Sequence, residues 1–456
     1  MNRKLLSIGI LCLTGMLCNS CNEGVSYNRQ KQDKPNIIIL FCDDLGYGDL
    51  TSFGHPTIKT PNLDQMVTDG MKFTNFYSGS PACTASRYSL LTGRYPKRSG
   101  FGWVLSPTSP RGIHPKEITM AEALKGVGYA TGMFGKWHLG STKPEYLPLQ
   151  NGFDEYVGLP YSNDMRPPKW PSIPLLQGND TLELDPDQSK LTALYTERAI
   201  DFIRRNKEDP FFIYLPYAMP HVPLYPGQDF SGSSRRGLYG DVVEEIDWSA
   251  GKIREILREE GLDGQTLIIF ASDNGPWIIK NEKGGSSGLL RDGKGSTWEG
   301  GMHVPGIACW PGKITAGSIC MNPASTLDMY TTILKIAGVD IPADRAVDGR
   351  DIKGWLFESD HQPEVHPYYY YGPRELHALR KGPWKLHVKT SSQTGKDYFE
   401  GKLPLLFNLD TDPSEQYDVS DENPEIVQDL LAEITQHKKE VAEASNFFDR
   451  EETHAE

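Results

Sequence analysis

The run Asn36-Ile37-Ile38-Ile39-Leu40-Phe41 is apolar at every position after its asparagine. A strand with one wetted face would alternate, so this run reads as a strand buried on both sides in a parallel sheet. The same kind of run returns at Phe211-Phe212-Ile213-Tyr214-Leu215 and at Thr266-Leu267-Ile268-Ile269-Phe270-Ala271-Ser272. Further strands are expected at Met71–Tyr77 and Gly128–Gly135. Between them, helical spacing predicts helices over Pro61–Gly70, Ile118–Lys125, Leu191–Asn206 and Gly240–Glu260. Residues 141–190 are rich in proline, glycine and polar groups, and segments such as 97–115 and 161–180 read as loops around the site. Alternating strands and helices imply an α/β domain over 35–355, with a mostly parallel sheet and helices on both faces. Beyond about residue 355, short segments at Tyr368–Tyr371, Leu376–Arg380, Trp384–Val388 and Leu405–Leu409 predict a small antiparallel sheet. A helix over Pro424–Lys439 and an acidic tail complete a C-terminal subdomain over 356–450.

The N-terminus reads as an export signal. Arg3 and Lys4 precede an apolar stretch from Leu5 to Cys18 that is too short to span a bilayer. Leu17-Cys18-Asn19-Ser20-Cys21 resembles a bacterial lipobox, so 1–20 would be removed and Cys21 acylated as the first mature residue. Residues 21–34 read as a polar tether. The chain is then an exported bacterial protein, in the periplasm or at the outer membrane, touching membrane only through that lipid. Its net charge of −13 disfavours nucleic acid, which needs a basic footprint. An anionic substrate must be captured by a local basic pocket. Beyond the leader and the acylated Cys21 only Cys42, Cys83, Cys309 and Cys320 remain, too few for a disulfide framework, though Cys309 and Cys320 leave room for one bridge.

Polar residues gather where the apolar runs end, which is where open α/β sheets place ligands. The first run ends in Asp43-Asp44 and the third in Asp273-Asn274. Read alone, Asp43-Asp44 is as much a helix cap or turn as a ligand set. Together, four hard oxygen donors suggest Ca²⁺ in preference to Mg²⁺. Cys83 should open a helix running Cys83-Thr84-Ala85-Ser86-Arg87-Tyr88-Ser89-Leu90-Leu91, with Arg87 on the same face four residues on. Lys136 and His138 lie two apart in what reads as an extended segment, so both would point one way. His221 sits between prolines just past the second run, placed to donate to a leaving group. Lys294 lies in a glycine-rich loop that would let it approach an anion. His114, Asp164 and Arg166 are candidate sugar contacts, Asp164 and Arg166 within the mixed charged and aromatic run Tyr161–Trp170.

Cys83-Thr84-Ala85-Ser86-Arg87 followed by Leu91-Thr92-Gly93-Arg94 resembles the signature of type I, arylsulfatase A-like sulfatases. Asp43-Asp44, Gly135-Lys136-Trp137-His138, Pro220-His221, Ser272-Asp273-Asn274-Gly275 and Gly293-Lys294-Gly295 fall in that family's order. The resemblance covers roughly residues 35–440. It implies an alkaline-phosphatase-like α/β/α sandwich and hydrolysis of a sulfate ester, here on a sulfated carbohydrate such as a glycosaminoglycan, mucin or algal fragment. It further implies that Cys83 becomes formylglycine, whose hydrate supplies the nucleophile. Asp43, Asp44, Asp273, Asn274 and residue 83 would hold the metal, and Arg87 the diol. Lys136 and Lys294 would bind sulfate oxygens, His221 would protonate the leaving alcohol, and His138 would act as base in releasing sulfate. Ala85 replaces the proline most often found there, which suggests a maturase of the anaerobic radical type as partner. His303, where the family commonly has arginine, reads as structural variation. Two alternatives remain: a non-catalytic binder of sulfated glycans if Cys83 stays unmodified, and a phosphatase or phosphodiesterase of the same fold. The latter would want Ser or Thr as nucleophile and His-rich zinc clusters, which the chain lacks.

Overall fold

The computed structural model describes residues 34–358 and 365–443. The leader, Cys21, all but the last residue of the tether, and the acidic tail lie outside the described residues. Strands β1 (Asn36–Cys42), β2 (Met71–Tyr77), β3 (Ala130–Phe134), β4 (Glu155–Gly158), β5 (Pro174–Gln177), β6 (Asp180–Leu184), β7 (Phe211–Pro216), β8 (Thr266–Ser272), β9 (His303–Cys309), β10 (Ser318–Cys320) and β11 (Ala324–Ser325) form one sheet. Its order is β10-β2-β9-β8-β1-β7-β3-β4-β5-β6, with β11 also on β2. The helices are α1 (Pro61–Asp69), α2 (Cys83–Thr92), α3 (Met120–Lys125), α4 (Leu191–Asn206), α5 (Leu238–Glu259), α6 (Glu299–Met302), α7 (Thr326–Ile336), α8 (Lys353–Phe357) and α9 (Pro424–Glu443).

The apolar runs do what their composition requires. In β1, Ile37, Ile39 and Phe41 enter one hydrophobic layer, and Ile38, Leu40 and Cys42 enter the other. β7 and β8 split the same way, with Phe212, Tyr214, Leu267 and Ile269 on the first side and Phe211, Ile213, Ile268 and Phe270 on the second. α2, α3 and α7 cover the first face, through Tyr88, Leu90, Leu124, Tyr330 and Ile333. α1, α4 and α5 cover the second, through Leu63, Met66, Ala199, Phe202, Val242 and Ile246. The result is a three-layer α/β/α sandwich.

The sheet is parallel through β8-β1-β7-β3-β4 and at β10-β2, so it is mostly parallel as expected, and it departs from parallel at two places. β9 runs antiparallel to both β2 and β8. A parallel return needs a crossover, usually a helix; the chain from Asp273 to Trp298 holds only a short 3₁₀ stretch and stays at one edge, so β9 re-enters from there. The second place is 141–190, where β4 extends the sheet and β5 and β6 form an antiparallel hairpin at its edge, not loops alone. His303, the first residue of β9, binds Glu299 Oε2 at 3.1 Å and the Thr74 carbonyl at 2.8 Å. Cys309 and Cys320 are both buried free thiols, so no bridge joins them.

β12 (Pro367–Tyr371), β13 (Leu376–Lys381), β14 (Trp384–His387) and β15 (Leu405–Asn408) make a four-stranded antiparallel sheet in sequence order. α9 packs on it through Leu430 and Ile434, in a cluster that includes Tyr77, Tyr95 and Leu327 of the larger part. Buried Glu299 ties the two together, accepting from Lys385 Nζ at 2.9 Å and from the Tyr77 and Tyr370 hydroxyls at 2.7 Å. No helix among the described residues is long and apolar enough to cross a membrane.

Candidate active site

β1 and β8 are parallel neighbours in register Cys42 to Ser272, so the residues after each strand arrive side by side. Asp43, Asp44, Asp273 and Asn274 are at most 2% exposed. The two turns lock together: Asp273 N donates to the Cys42 carbonyl at 3.0 Å and Asp44 N to Asp273 Oδ1 at 3.1 Å. Asn274 Nδ2 donates to Asp44 Oδ1 at 2.7 Å, and Leu45 N to Ser272 Oγ at 3.0 Å. Asp44 holds the left-handed φ of 66° that aspartate tolerates better than most side chains.

α2 brings Cys83 and Arg87 to this edge. Every residue from Cys83 to Thr92 is buried, so the helix is central and has no wetted face. Gly93 ends it at a left-handed φ of 69°. The Arg87 guanidinium donates to Asp273 Oδ2 through Nε at 3.1 Å and Nη2 at 2.8 Å, and through Nη1 to the Lys136 carbonyl at 3.1 Å. Nη2 also lies 3.7 Å from Asp43 Oδ1. Lys136 follows β3 through Gly135, where a Cβ would lie 1.9 Å from the Pro216 carbonyl oxygen, so glycine alone lets this turn pass the end of β7. Lys136 Nζ binds Asp43 Oδ2 and donates to Ser162 Oγ at 3.2 Å. Lys294 Nζ pairs with the Asp44 carboxylate at 2.8 Å and sits 4.6 Å from the Trp277 ring centre.

Of the two histidines, His138 departs from the expected geometry. The segment is not extended at His138, whose φ of 65° turns the chain, so the shared-face argument for Lys136 and His138 fails there. His138 Nε2 lies 3.0 Å from the Leu105 carbonyl, while buried Nδ1 has no hydrogen-bond partner. His221 Nδ1 faces the Val222 carbonyl at 2.6 Å and Asn163 Oδ1 at 3.1 Å. Both are acceptors, so Nδ1 carries a proton and Nε2 is turned to the cluster, 3.7 Å from Asp44 Oδ2.

Charge and burial set the acidities. Burial would push the Asp43 carboxyl up, but Lys136, with His221 and Arg87, holds it well below the carboxylate range. Burial and the neighbouring Asp43 push Asp273 up. Burial penalises the charge on Lys294, and the Asp44 carboxylate more than restores it, holding the ammonium above its usual range. Burial lowers both His138 and His221, further lowered by Lys136 and Lys294 respectively. The Cys83 thiol is pushed up by burial although Lys136 and Lys294 oppose it. An unmodified Cys83 is therefore not a poised thiolate.

The donor set suits a hard divalent cation. Asp43 Oδ1 and Asn274 Oδ1 are buried without hydrogen-bond partners, which is costly unless something else satisfies them. Asp43, Asp44 and His221 offer ligand atoms within 4.8 Å of one another. Asp273 differs, since Arg87 and the Asp44 amide already engage both its oxygens. The structure thus brings together Asp43, Asp44, Cys83, Arg87, Lys136, His138, His221, Asp273, Asn274 and Lys294. Asp164 and Arg166 are exposed, with Arg166 5.9 Å from the Tyr225 ring centre, and His114 is half-buried and accepts from Lys116 N at 3.1 Å. The sequence missed Ser162 and Asn163, neighbours of Asp164 that bind Lys136 and His221. Composition marked that run, but nothing in it shows which members face inward.

Two family models match the chain: "Sulfatase" over residues 35–339 and "C-terminal region of aryl-sulfatase" over 362–455. An N-acetylgalactosamine-6-sulfatase of Sus scrofa is 38% identical over 444 residues, spanning 88% of this chain and 84% of that protein. The crystal structure of the PsFucS1 sulfatase from Pseudoalteromonas sp. superposes with a TM-score of 0.82 at 28% identity, covering 91% of each chain. Ps i-CgsB in complex with k-i-k-neocarrahexaose superposes with a TM-score of 0.77 at 30% identity, covering 88% of this chain and 92% of that one.

Proposed function

The chain belongs to the type I sulfatase family, with its alkaline-phosphatase-like fold, and is a sulfuric ester hydrolase; from that premise we propose that it removes sulfate from a sulfated carbohydrate through formylglycine formed at residue 83. The observation that carries the reading is the convergence of Lys136, Lys294 and Arg87 with Asp43 and Asp44 around Cys83. The sugar follows from relatives named for N-acetylgalactosamine 6-sulfate and bound to a neocarrahexaose.

Arg87, Lys136 and Lys294 balance Asp43, Asp44 and Asp273 in formal charge. A divalent cation held by Asp43, Asp44, Asn274 and residue 83, with Asp273 alongside, would leave the pocket net positive, as capture of a sulfate monoanion by an acidic protein requires. When bound, it neutralises charge and lowers the pKa of an oxygen it holds; Ca²⁺ fits the oxygen donors better than zinc. Hydrated formylglycine supplies two hydroxyls on one carbon, one to attack sulfur and one to let sulfate leave. Arg87, fixed on α2, orients residue 83 and Asp273. Lys136 and Lys294 stabilise the charge that develops on the sulfuryl oxygens. His221 Nε2, with Nδ1 tied to Val222 and Asn163, faces the leaving oxygen and gives it a proton when the ring is charged. His138, buried near Lys136 with Nδ1 free of hydrogen bonds, acts as base when sulfate departs.

We extend the reading to the cell: export by residues 1–20, acylation at Cys21, and maturation by a radical enzyme that accepts Ala85. Sulfate release from a panel of sulfated monosaccharides and disaccharides, with protein from its own host, tests the substrate class. No release from any of them overturns it. Lipid labelling that persists in Cys21→Ala overturns the anchor.

A further inference from the structure

Lys294 reaches the site from a loop that has little regular structure of its own. Asp292 has a left-handed φ of 64°, and Gly293 is so confined that a Cβ would lie 2.3 Å from the Pro276 carbonyl oxygen. Two backbone bonds anchor this loop to the larger part, Lys294 N donating to the Pro276 carbonyl at 2.9 Å and Gly295 N to the Pro81 carbonyl at 2.9 Å, and the C-terminal subdomain adds side-chain bonds to the same place. Between β14 and β15 the chain carries Gln393, and that residue makes four hydrogen bonds to the two segments that frame Lys294. Its backbone N donates to Asp292 Oδ1 at 3.1 Å. Its Nε2 donates to the Lys294 carbonyl at 2.8 Å and the Pro276 carbonyl at 3.2 Å. Its Oε1 accepts from Ile279 N at 2.9 Å. Pro276 lies two residues after Asn274, so the Gln393 side chain reinforces the backbone bond from Lys294 N to the Pro276 carbonyl and clamps the loop of Lys294 to the turn that presents Asp273 and Asn274.

The chemistry of this position is specific to glutamine. Two carbonyls need two donors from one nitrogen, and Ile279 N needs an acceptor on the same terminal group; only a primary amide supplies both. A glutamate would set a carboxylate oxygen against two carbonyl oxygens and add negative charge beside Lys294. Asparagine is one methylene short. Tyr398, from the same connection, adds a bond from its hydroxyl to Asp292 Oδ2 at 3.3 Å.

We propose that Gln393 is a positioning residue for sulfate recognition: the C-terminal subdomain completes the active site by holding the Lys294 loop in place through this amide. The inference rests on the reading of Lys294 as a ligand of sulfate oxygens. Gln393 touches no reacting atom. It acts through the main chain of Lys294, so its loss should weaken the grip on sulfate in ground and transition states alike.

The test measures KM and kcat for 4-nitrophenyl sulfate, and the dissociation constant of inorganic sulfate by calorimetry, for the full-length protein and for Gln393→Ala, Gln393→Glu and Lys294→Ala. Loosening one charge-assisted contact to sulfate weakens binding by roughly tenfold. We expect both Gln393 variants to raise KM and the sulfate dissociation constant together by about that factor, Gln393→Glu the more, with kcat changed far less. Lys294→Ala should weaken sulfate at least as much. Gln393 variants that lower the melting temperature but bind sulfate like the parent would overturn the positioning role while leaving Lys294 in place. A Lys294→Ala protein with parental sulfate affinity would overturn the reading of Lys294, and this inference with it.

Discussion

Replacing Arg87 should cost the fold several kcal/mol, by the class of contact it makes. Its side chain is fully buried and donates twice to Asp273 Oδ2 and once to the Lys136 carbonyl. Arg87→Ala leaves the Asp273 carboxylate in the interior without its counter-ion, a class of change worth about 3–5 kcal/mol. Arg87→Lys keeps the charge but loses the planar fork, so at least one charge-assisted bond disappears, at about 1.5–3 kcal/mol. Asp273→Asn supplies the internal control, because removing the carboxylate removes the reason Arg87 is needed there. In that background Arg87→Ala should cost less than alone, by a coupling of about 0.5–3 kcal/mol. Urea unfolding of the parent, the three single variants and the double variant, followed by circular dichroism, gives each value from the shift in midpoint. An Arg87→Ala protein within about 1 kcal/mol of the parent, or additive effects in the double variant, would refute the account of Arg87 as partner to Asp273.

Cys83→Ser cannot become formylglycine and lacks the second hydroxyl, so it should show no turnover or trap a covalently sulfated serine, visible as an added sulfate mass; sustained turnover would contradict the mechanism. Asn274→Ala removes an oxygen that has no hydrogen-bond partner in the fold, so it should abolish the rise in melting temperature on adding Ca²⁺ to chelator-treated protein. An undiminished rise would remove Asn274 from the donor set. Glu245 is buried on α5 and accepts from Gly227 N at 2.7 Å, and burial pushes its carboxyl up to about 7. A raised carboxyl favours folding below its unfolded pKa, and that advantage is lost as pH rises through about 7, at most about 3 kcal/mol for a shift of this size. Glu245→Gln should therefore flatten the fall in stability between pH 5 and pH 8, and an unchanged slope would assign that pH dependence elsewhere.

The parts of the fold that sequence makes legible are those where one physical demand dominates. β1, β7 and β8 are buried on both faces, so their sequences are continuous apolar runs with no competing pattern. β9 is buried to the same degree, yet His303, Pro305 and Gly306 hide it. Gly306 is there because a Cβ would lie 2.6 Å from the Phe76 ring, a reason that exists only once the sheet has formed. α7 lies on the same face as α2, and no sequence motif marks it. The candidate site divides along a similar line. Cys83 and Arg87 are one turn apart on one helix, and the acidic pairs directly follow strands, so local spacing places them. Ser162, Asn163 and Gln393 reach the site from irregular segments, where position in the chain says nothing about direction. Their neighbour Asp164 is exposed although it has the more suggestive side chain.

The central claim is that residue 83 works as formylglycine and not as cysteine. Mass spectrometry of the peptide spanning Ser80–Arg87, from protein made in its own host and active on a sulfate ester, addresses it directly. The account predicts that the thiol-bearing side chain is replaced by an aldehyde or its hydrate in a fraction that tracks specific activity. A fully active preparation carrying an intact Cys83 thiol would contradict it.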